Sequence, residues 1–166
     1  VPAARQVESA GADCLLICTN TMHKVAGEVE SAIGIPLLHI ADATAAVLVD
    51  EQIKTVGLLG TAFTMEQDFY KGRLTERYGL DVRVPDAQDR AIVHRVIYDE
   101  LCRGAIRDDS RDQYLRIIDA LVDDGAEAVI LGCTEIGLLV NQTNTDVRLL
   151  DTTAIHAARA VTFALA

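Results

Sequence analysis

Residues 11–22 read GADCLLICTNTM and residues 125–136 read GAEAVILGCTEI. Laid over each other without a gap, both run Gly-Ala-acid, a short apolar stretch, a small or sulfur-bearing residue, and a Thr-rich turn into a helix. A unit that recurs in this way is one supersecondary element used twice. The match continues downstream. Pro36-Leu37-Leu38-His39 and the Ala/Thr-rich helix after it parallel Arg148-Leu149-Leu150-Asp151 and a second Ala/Thr-rich helix. Two pseudo-symmetric units would face their turns at one another across a cleft.

The surrounding pattern says what each unit is made of. Residues 14–18, 54–60, 82–84, 128–132 and 147–150 are short runs apolar on both sides, as buried parallel strands are. Helical patterns lie between them, at about 22–32, 64–78, 87–103 and 152–166. Another starts at Ser110, where Gln113 completes a capping-box pattern, and stops at Gly125. The expected fold is α/β, with two pseudo-symmetric three-layer lobes and mainly parallel sheets. Residues 1–50 with 152–166 form the first lobe and residues 51–151 the second. The second unit has a strand, a helix, a further strand and two more helices ahead of its turn, whereas eighteen residues precede Thr19. On that comparison about 60 residues of the first unit are not in the sequence, and a first lobe truncated at its N-terminus is expected.

Composition removes several classes of function. Half of the 166 residues are apolar and about a quarter charged, as in a soluble globular protein. The apolar runs are far shorter than the ~20 residues that cross a bilayer, so no membrane partner is expected. Fifteen basic against 25 acidic residues give a net charge of -10, without the basic stripe that nucleic acid requires. Four cysteines, Cys14, Cys18, Cys102 and Cys133, have no CxxC spacing and suggest neither zinc nor a disulfide framework. A reducing, cytoplasmic compartment is expected. Cys14 and Cys18 on one strand would stand about 13 Å apart, too far for a bridge.

In parallel α/β folds ligands sit beyond the carboxyl ends of strands. The repeat therefore draws attention to Thr19-Asn20-Thr21, which falls on Cys133-Thr134-Glu135. Both turns lie near helix N-termini, where backbone N–H groups favour anions, and a thiol so placed is expected to have a pKa below the usual ~8.5. An acid on one face of a stereocentre and a base on the other is what 1,1-proton transfer needs. Asn20, Thr21 and Thr134 are short donors able to hold a carboxylate without adding charge.

The turns ICTNTMH (17–23) and LGCTEI (131–136), with VGLLGTAFT (56–64), resemble the aspartate/glutamate racemase superfamily over essentially the whole chain. The GCTE form is similar to the aspartate racemase branch. The resemblance implies two α/β lobes, an amino-acid substrate, no PLP, no metal, a cysteine from each lobe acting as acid or base, and often a homodimer. It also points to Thr61 and Thr64 as carboxylate binders and to Glu135 as a substrate contact. The family's first turn is usually Cys-Asn-Thr, and registering on Asn20-Thr21 puts Thr19 in the catalytic place. By strand alternation Cys18 then faces away and packs, as Cys14 and Cys102 are also expected to do. The resulting expectation is a cofactor-independent racemase of aspartate or glutamate, with Cys133 and Thr19 as the acid/base pair and Thr19 the weaker member.

Plainer readings fit the same residues. Thr19 and Thr134 could be helix N-caps and Asn20 a turn residue, while Glu135 could only offset a helix dipole. His23 and His39 could reach the cleft or be capping residues, and His94 and His156 read as surface or lobe contacts. A maleate isomerase or hydantoin racemase type of enzyme would share the cleft. A catalytically inactive ligand-binding module is the alternative outside enzymology.

Overall fold

The computed structural model describes all 166 residues, Val1–Ala166. Helix α1 (Pro2–Ser9) leads into strand β1 (Leu15–Leu16), a 3-10 turn over Thr21–Val25 and the short helix α2 (Ala26–Glu30). Strand β2 (Leu37–Leu38) runs directly into α3 (Ile40–Asp50). Next come β3 (Thr55–Gly60), α4 (Ala62–Glu66), α5 (Asp68–Tyr78), β4 (Asp81–Arg83) and α6 (Ala87–Asp99). Helix α7 (Asp108–Asp123), β5 (Ala128–Gly132), α8 (Ile136–Leu139), β6 (Arg148–Asp151) and α9 (Thr152–Ala164) complete the chain. Every strand pairing is parallel, in a two-stranded sheet β1-β2 and a four-stranded sheet β4-β3-β5-β6. The α/β fold with parallel sheets is the one expected from the sequence.

The repeat is visible in three dimensions. Leu15 and Leu16 pair with Leu37 and Leu38, as Ala128 to Leu131 pair with Arg148 to Asp151. Each copy opens on a glycine in the left-handed region, Gly11 at φ 88° and Gly125 at φ 99°. A side chain there would be strained, so the shared Gly-Ala-acid opening is a backbone requirement at the helix-to-strand turn. The residues ending β2 and β6 cap the helices that follow. His39 accepts from the N–H of Ala41, and Asp151 from those of Thr153 and Ala154.

Packing departs from the division expected at residue 50. The buried face of α3, Ile40, Ala41, Ala45 and Leu48, shares a core with Val56 and Leu58 of β3, Leu74 of α5, and Ile130 and Leu150 of β5 and β6. Helix α3 thus belongs by packing to the four-stranded sheet. The other face of that sheet is covered by α6 and α7, through Val93, Val96, Ile97, Tyr114, Ile118 and Leu121. Helix α9, whose Ile155 reaches the α3 core, also touches β2, because His156 Nε2–H donates to the carbonyl of Leu38 at 2.6 Å. The helix following each second strand therefore crosses to the other copy. The capping box expected at Ser110 does not form. The helix begins two residues earlier, and Ser110 Oγ donates to Glu100.

At the C-terminal ends of β3 and β5, Gly60 and Gly132 lie in register. A Cβ on Gly132 would sit 2.8 Å from the carbonyl oxygen of Leu59, and one on Gly60 3.0 Å from that of Gly132. The two strand ends can approach only because neither has a side chain, and this brings the turn at Thr61 beside the turn at Cys133.

Three buried histidines fill the junction of the copies. His23 and His39 have ring centroids 4.3 Å apart, and His156 lies 6.0 Å from His23. Burial pushes the His23 pKa down to about 4, with the His156 and Arg73 charges adding to the shift and hydrogen bonds to backbone carbonyls opposing it. Burial lowers His39 to about 3, helped by His23, Arg73 and Arg77 and opposed by Asp42. Both rings are neutral when folded. Above the unfolded value of 6.5 they are neutral in either state and their full stability is present. As pH falls from there toward the folded values, only the unfolded chain takes up protons, and stability is lost. The loss expected between pH 6.5 and 4 is on the order of 3 kcal/mol per group at most. Urea unfolding midpoints measured across that range should fall steeply, and a flat profile would contradict the neutral cluster.

Candidate active site

The turns after β1, β3 and β5 converge on a cleft of about 410 Å³. Thr19, Asn20, Thr21, Thr61, Cys133, Thr134 and Glu135 line it, joined by Cys18, Met22, Ile97, Tyr98 and Cys102. All the residues singled out in the sequence meet there except Thr64. That side chain is fully buried behind Thr61, whose Oγ1 lies 3.3 Å from the Thr64 hydroxyl and accepts from the Thr64 N–H. Thr61 also reaches forward, with its Oγ1 3.2 Å from that of Thr21. Thr64 is therefore the support beneath a hydroxyl pair that joins the first turn to the end of β3.

On the β5 side Cys133 Sγ donates to Glu135 Oε2 at 3.0 Å, and Thr134 Oγ1 donates to the same oxygen at 2.7 Å. The carboxyl is raised by partial burial but held below its ordinary range by those two side chains and its own backbone N–H. The thiol responds in the opposite direction from the one its position suggested. Burial, then the hydrogen bond and charge of Glu135, push the Cys133 pKa up to about 12, and the Glu135 backbone N–H offsets only part of this. The helix after Cys133 is one turn long, Ile136–Leu139, and offers little dipole against desolvation. Thr134 does not cap it, since its hydroxyl is committed to Glu135.

The first turn is pinned from behind. Asn20 is 3% exposed, and its Nδ2–H donates to Thr152 Oγ1 at 3.0 Å. The Thr152 hydroxyl proton is already given to the carbonyl of Leu131 at 2.9 Å, so Thr152 can only accept from Asn20. The amide orientation follows from this. Its Oδ1 is buried without a partner, a free acceptor on a residue of the cleft wall. An unpaired buried acceptor is costly, and an N–H from a bound molecule would satisfy it.

Cys18 is not a packing residue. Strand β1 ends at Leu16, and the Thr19 N–H bonds to the carbonyl of Ile17 at 2.8 Å, an i to i+2 turn centred on Cys18. Strand alternation does not extend through such a turn, and Cys18 is exposed on the cleft beside Thr19. Cys102 is likewise exposed there, its thiol raised by burial and by the Glu135 charge. Cys14 is half-buried, and all four cysteines are free. The histidines stay out of the cleft wall. His23 and His39 are buried behind the first turn, and His94 accepts from the Ala62 N–H at 3.1 Å beside Thr61. Tyr98 and Ile97, which sequence reasoning passed over, form the wall on the α6 side. No group of three or more His, Cys, Asp or Glu is arranged to hold a metal ion.

Residues 1–160 match the family model described as Asp/Glu/Hydantoin racemase. A solved structure of a candidate Asp/Glu racemase from Yersinia pestis superposes with a TM-score of 0.95 at 53% identity, covering 99% of this chain and 72% of that one. An aspartate racemase homologue from Pyrococcus horikoshii OT3 gives 0.89 at 34% identity, with the same coverage of 99% and 72%. The broad specificity amino-acid racemase RacX of Bacillus subtilis (strain 168) is 21% identical over 173 residues, 100% of this chain and 71% of that protein.

Two outcomes are expected from this geometry. Glu135→Gln removes the charge that raises the thiol, so peptide-resolved alkylation of Cys133 by iodoacetamide at pH 8 should become several-fold faster. An unchanged rate would show that burial alone sets the thiol pKa. Thr152→Val keeps the shape but leaves Leu131 O and Asn20 Nδ2 unpaired, which should cost about 1–3 kcal/mol in urea unfolding, while Thr152→Ser stays near wild type.

Proposed function

Because this chain belongs to the Asp/Glu/hydantoin racemase family, and is thereby an isomerase acting on amino acids, we propose that it interconverts the enantiomers of an acidic amino acid, aspartate or glutamate, without a cofactor. The observation that carries the mechanism is one cleft lined by proton-carrying side chains from two separate turns, Cys133 with Glu135 after β5 and Thr19 after β1.

At rest Cys133 is a thiol and Glu135 a carboxylate that already accepts its hydrogen bond. A bound α-amino acid brings an ammonium group, and the unpaired Asn20 Oδ1, buried just behind the cleft wall, supports an acceptor role for that residue once substrate shifts the turn. Where the substrate cation lies nearer Sγ than the Glu135 carboxylate it favours the thiolate, so the thiol proton passes to Glu135 and the sulfur becomes a base only with substrate in place. The thiolate takes the α-proton from one face. Thr19, or a water it holds, returns a proton to the other face. The cycle closes when Thr19 is reprotonated from the mouth of the cleft and Glu135 releases the proton it took from the thiol to solvent, leaving Cys133 as the thiol again. The adjacent hydroxyls of Thr21 and Thr61, 3.2 Å apart, support a role in holding a carboxylate. An alkyl hydroxyl is a poor base, so the two directions are expected to differ in rate.

A second reading concerns the opposite wall. Cys18 is exposed on the cleft next to Thr19, and a thiol is intrinsically the better base. The wall of Met22, Ile97 and Tyr98 also presents apolar surface to a substrate side chain, which favours a broader amino-acid range.

The test is exchange of the α-proton in deuterated water, together with D/L interconversion, for aspartate, glutamate and a panel of neutral amino acids without added PLP. Cys133→Ser should abolish interconversion. Thr19→Ala should slow exchange of one enantiomer at least tenfold and leave the other nearly unchanged. If Cys18→Ala has that effect instead, the second group is Cys18. Saturable binding of these amino acids with no exchange would replace the racemase by a binding module.

A further inference from the structure

His23 lies behind the first turn, 2% exposed, and makes two hydrogen bonds that together determine its state. Its Nε2 accepts from the backbone N–H of Ile40 at 3.2 Å, at the start of α3. That nitrogen therefore carries no proton. The proton is on Nδ1, which lies 2.8 Å from the carbonyl oxygen of Thr19 and donates to it. The Thr19 carbonyl belongs to the peptide unit joining Thr19 to Asn20, so gripping it sets the torsions on either side, those that aim the Thr19 hydroxyl and the Asn20 amide. The groups facing the ring are the imidazoles of His39 and His156, with the Arg73 guanidinium as the nearby charge. Arg73 is itself held by Asp42 in a two-pronged pair at 2.6 Å. No carboxylate is placed to draw a second proton onto His23 as it stands.

We infer that His23 is a positioning residue for the half of the reaction run from the first turn: as a neutral, Nδ1-protonated ring it clamps the Thr19 carbonyl to the head of α3. The inference rests on the racemase reading and adds to it the group that holds the weaker acid/base wall in place. Released from the clamp, Thr19-Asn20-Thr21 keeps the Asn20 bond to Thr152 but loses the constraint on the Thr19 peptide. Misplacement of about 1 Å at a reacting group is enough to cost up to ~100-fold in rate. Cys133 and Glu135 are held by β5 and each other, so the half-reaction from their side has no such dependence.

The experiment compares α-proton exchange of L- and D-aspartate in deuterated water for wild type, Cys133→Ser, His23→Leu, His23→Asn and His23→Gln. The enantiomer whose exchange better survives Cys133→Ser is the one deprotonated from the first turn. His23→Leu is expected to slow that enantiomer roughly tenfold or more and leave the other within about twofold. His23→Asn, whose amide N–H falls where Nδ1–H was, should restore most of the loss, and His23→Gln, which reaches Ile40 instead, should not. Equal slowing of both enantiomers, or wild-type rates in His23→Leu, overturns the inference. Imidazole ¹⁵N shifts of the wild-type protein near pH 7 provide a readout apart from turnover. An Nδ1–H ring supports the clamp, and an Nε2–H or charged ring overturns it. If wild type exchanges neither enantiomer of any amino acid, the racemase reading falls and the catalytic role of His23 with it, whereas unequal wild-type exchange with unselective His23 variants removes His23 alone.

Discussion

One buried chain of hydrogen bonds sets the distance between the two turns: Asn20 Nδ2–H to Thr152 Oγ1, and the Thr152 hydroxyl to the carbonyl of Leu131. Leu131 stands two residues before Cys133 on β5, and Asn20 directly follows Thr19. The chain thus ties the base of one wall to the base of the other through a side chain at the head of α9. Its members are out of reach of water, so breaking it leaves polar groups unpaired rather than rehydrated. That asymmetry makes the link a constraint on geometry as well as a contribution to stability. It also fixes which end of the Asn20 amide remains free.

Around this link the interior keeps its charge low. His23 and His39 are neutral, and the thiol of Cys133 is protonated. The charge retained on the cleft wall is Glu135, stabilised by hydrogen bonds from the side chains of the two residues before it, Cys133 and Thr134. Low charge at rest is compatible with burial, where an unpaired ion is expensive.

Much of this was legible in the sequence for definite reasons. The register between residues 11–22 and 125–136 rests on Gly11 and Gly125, which the backbone requires at the same point of each copy. It brings Thr19-Asn20-Thr21 opposite Cys133-Thr134-Glu135, the resemblance adds Thr61, and the cleft contains them all. Where the reading failed, a local rule had been carried past its range. Strand alternation was applied to Cys18, but the strand ends at Leu16 and a tight turn re-aims the residue. The helix dipole does not lower the pKa of Cys133, because the following helix is a single turn and a carboxylate lies 3.0 Å away. Thr64 shares a segment with Thr61, yet it faces the core.

The sequence alone determined that the chain is an α/β protein built from a repeated strand-turn-helix unit, and which turns line its cleft. Those conclusions depend on spacing and residue type along the chain. The tertiary structure decided the ionisation of Cys133, the neutral rings of His23 and His39, the free acceptor on Asn20, the exposure of Cys18 and Cys102 on the cleft, and the crossing of α3 and α9 between the copies. Each of these is set by burial and by partners far apart in sequence, with Asn20 and Thr152 132 residues apart and His156 and Leu38 118 apart. Desolvation and long-range hydrogen bonding have no signature in local sequence, so they became readable only once the chain had folded around them.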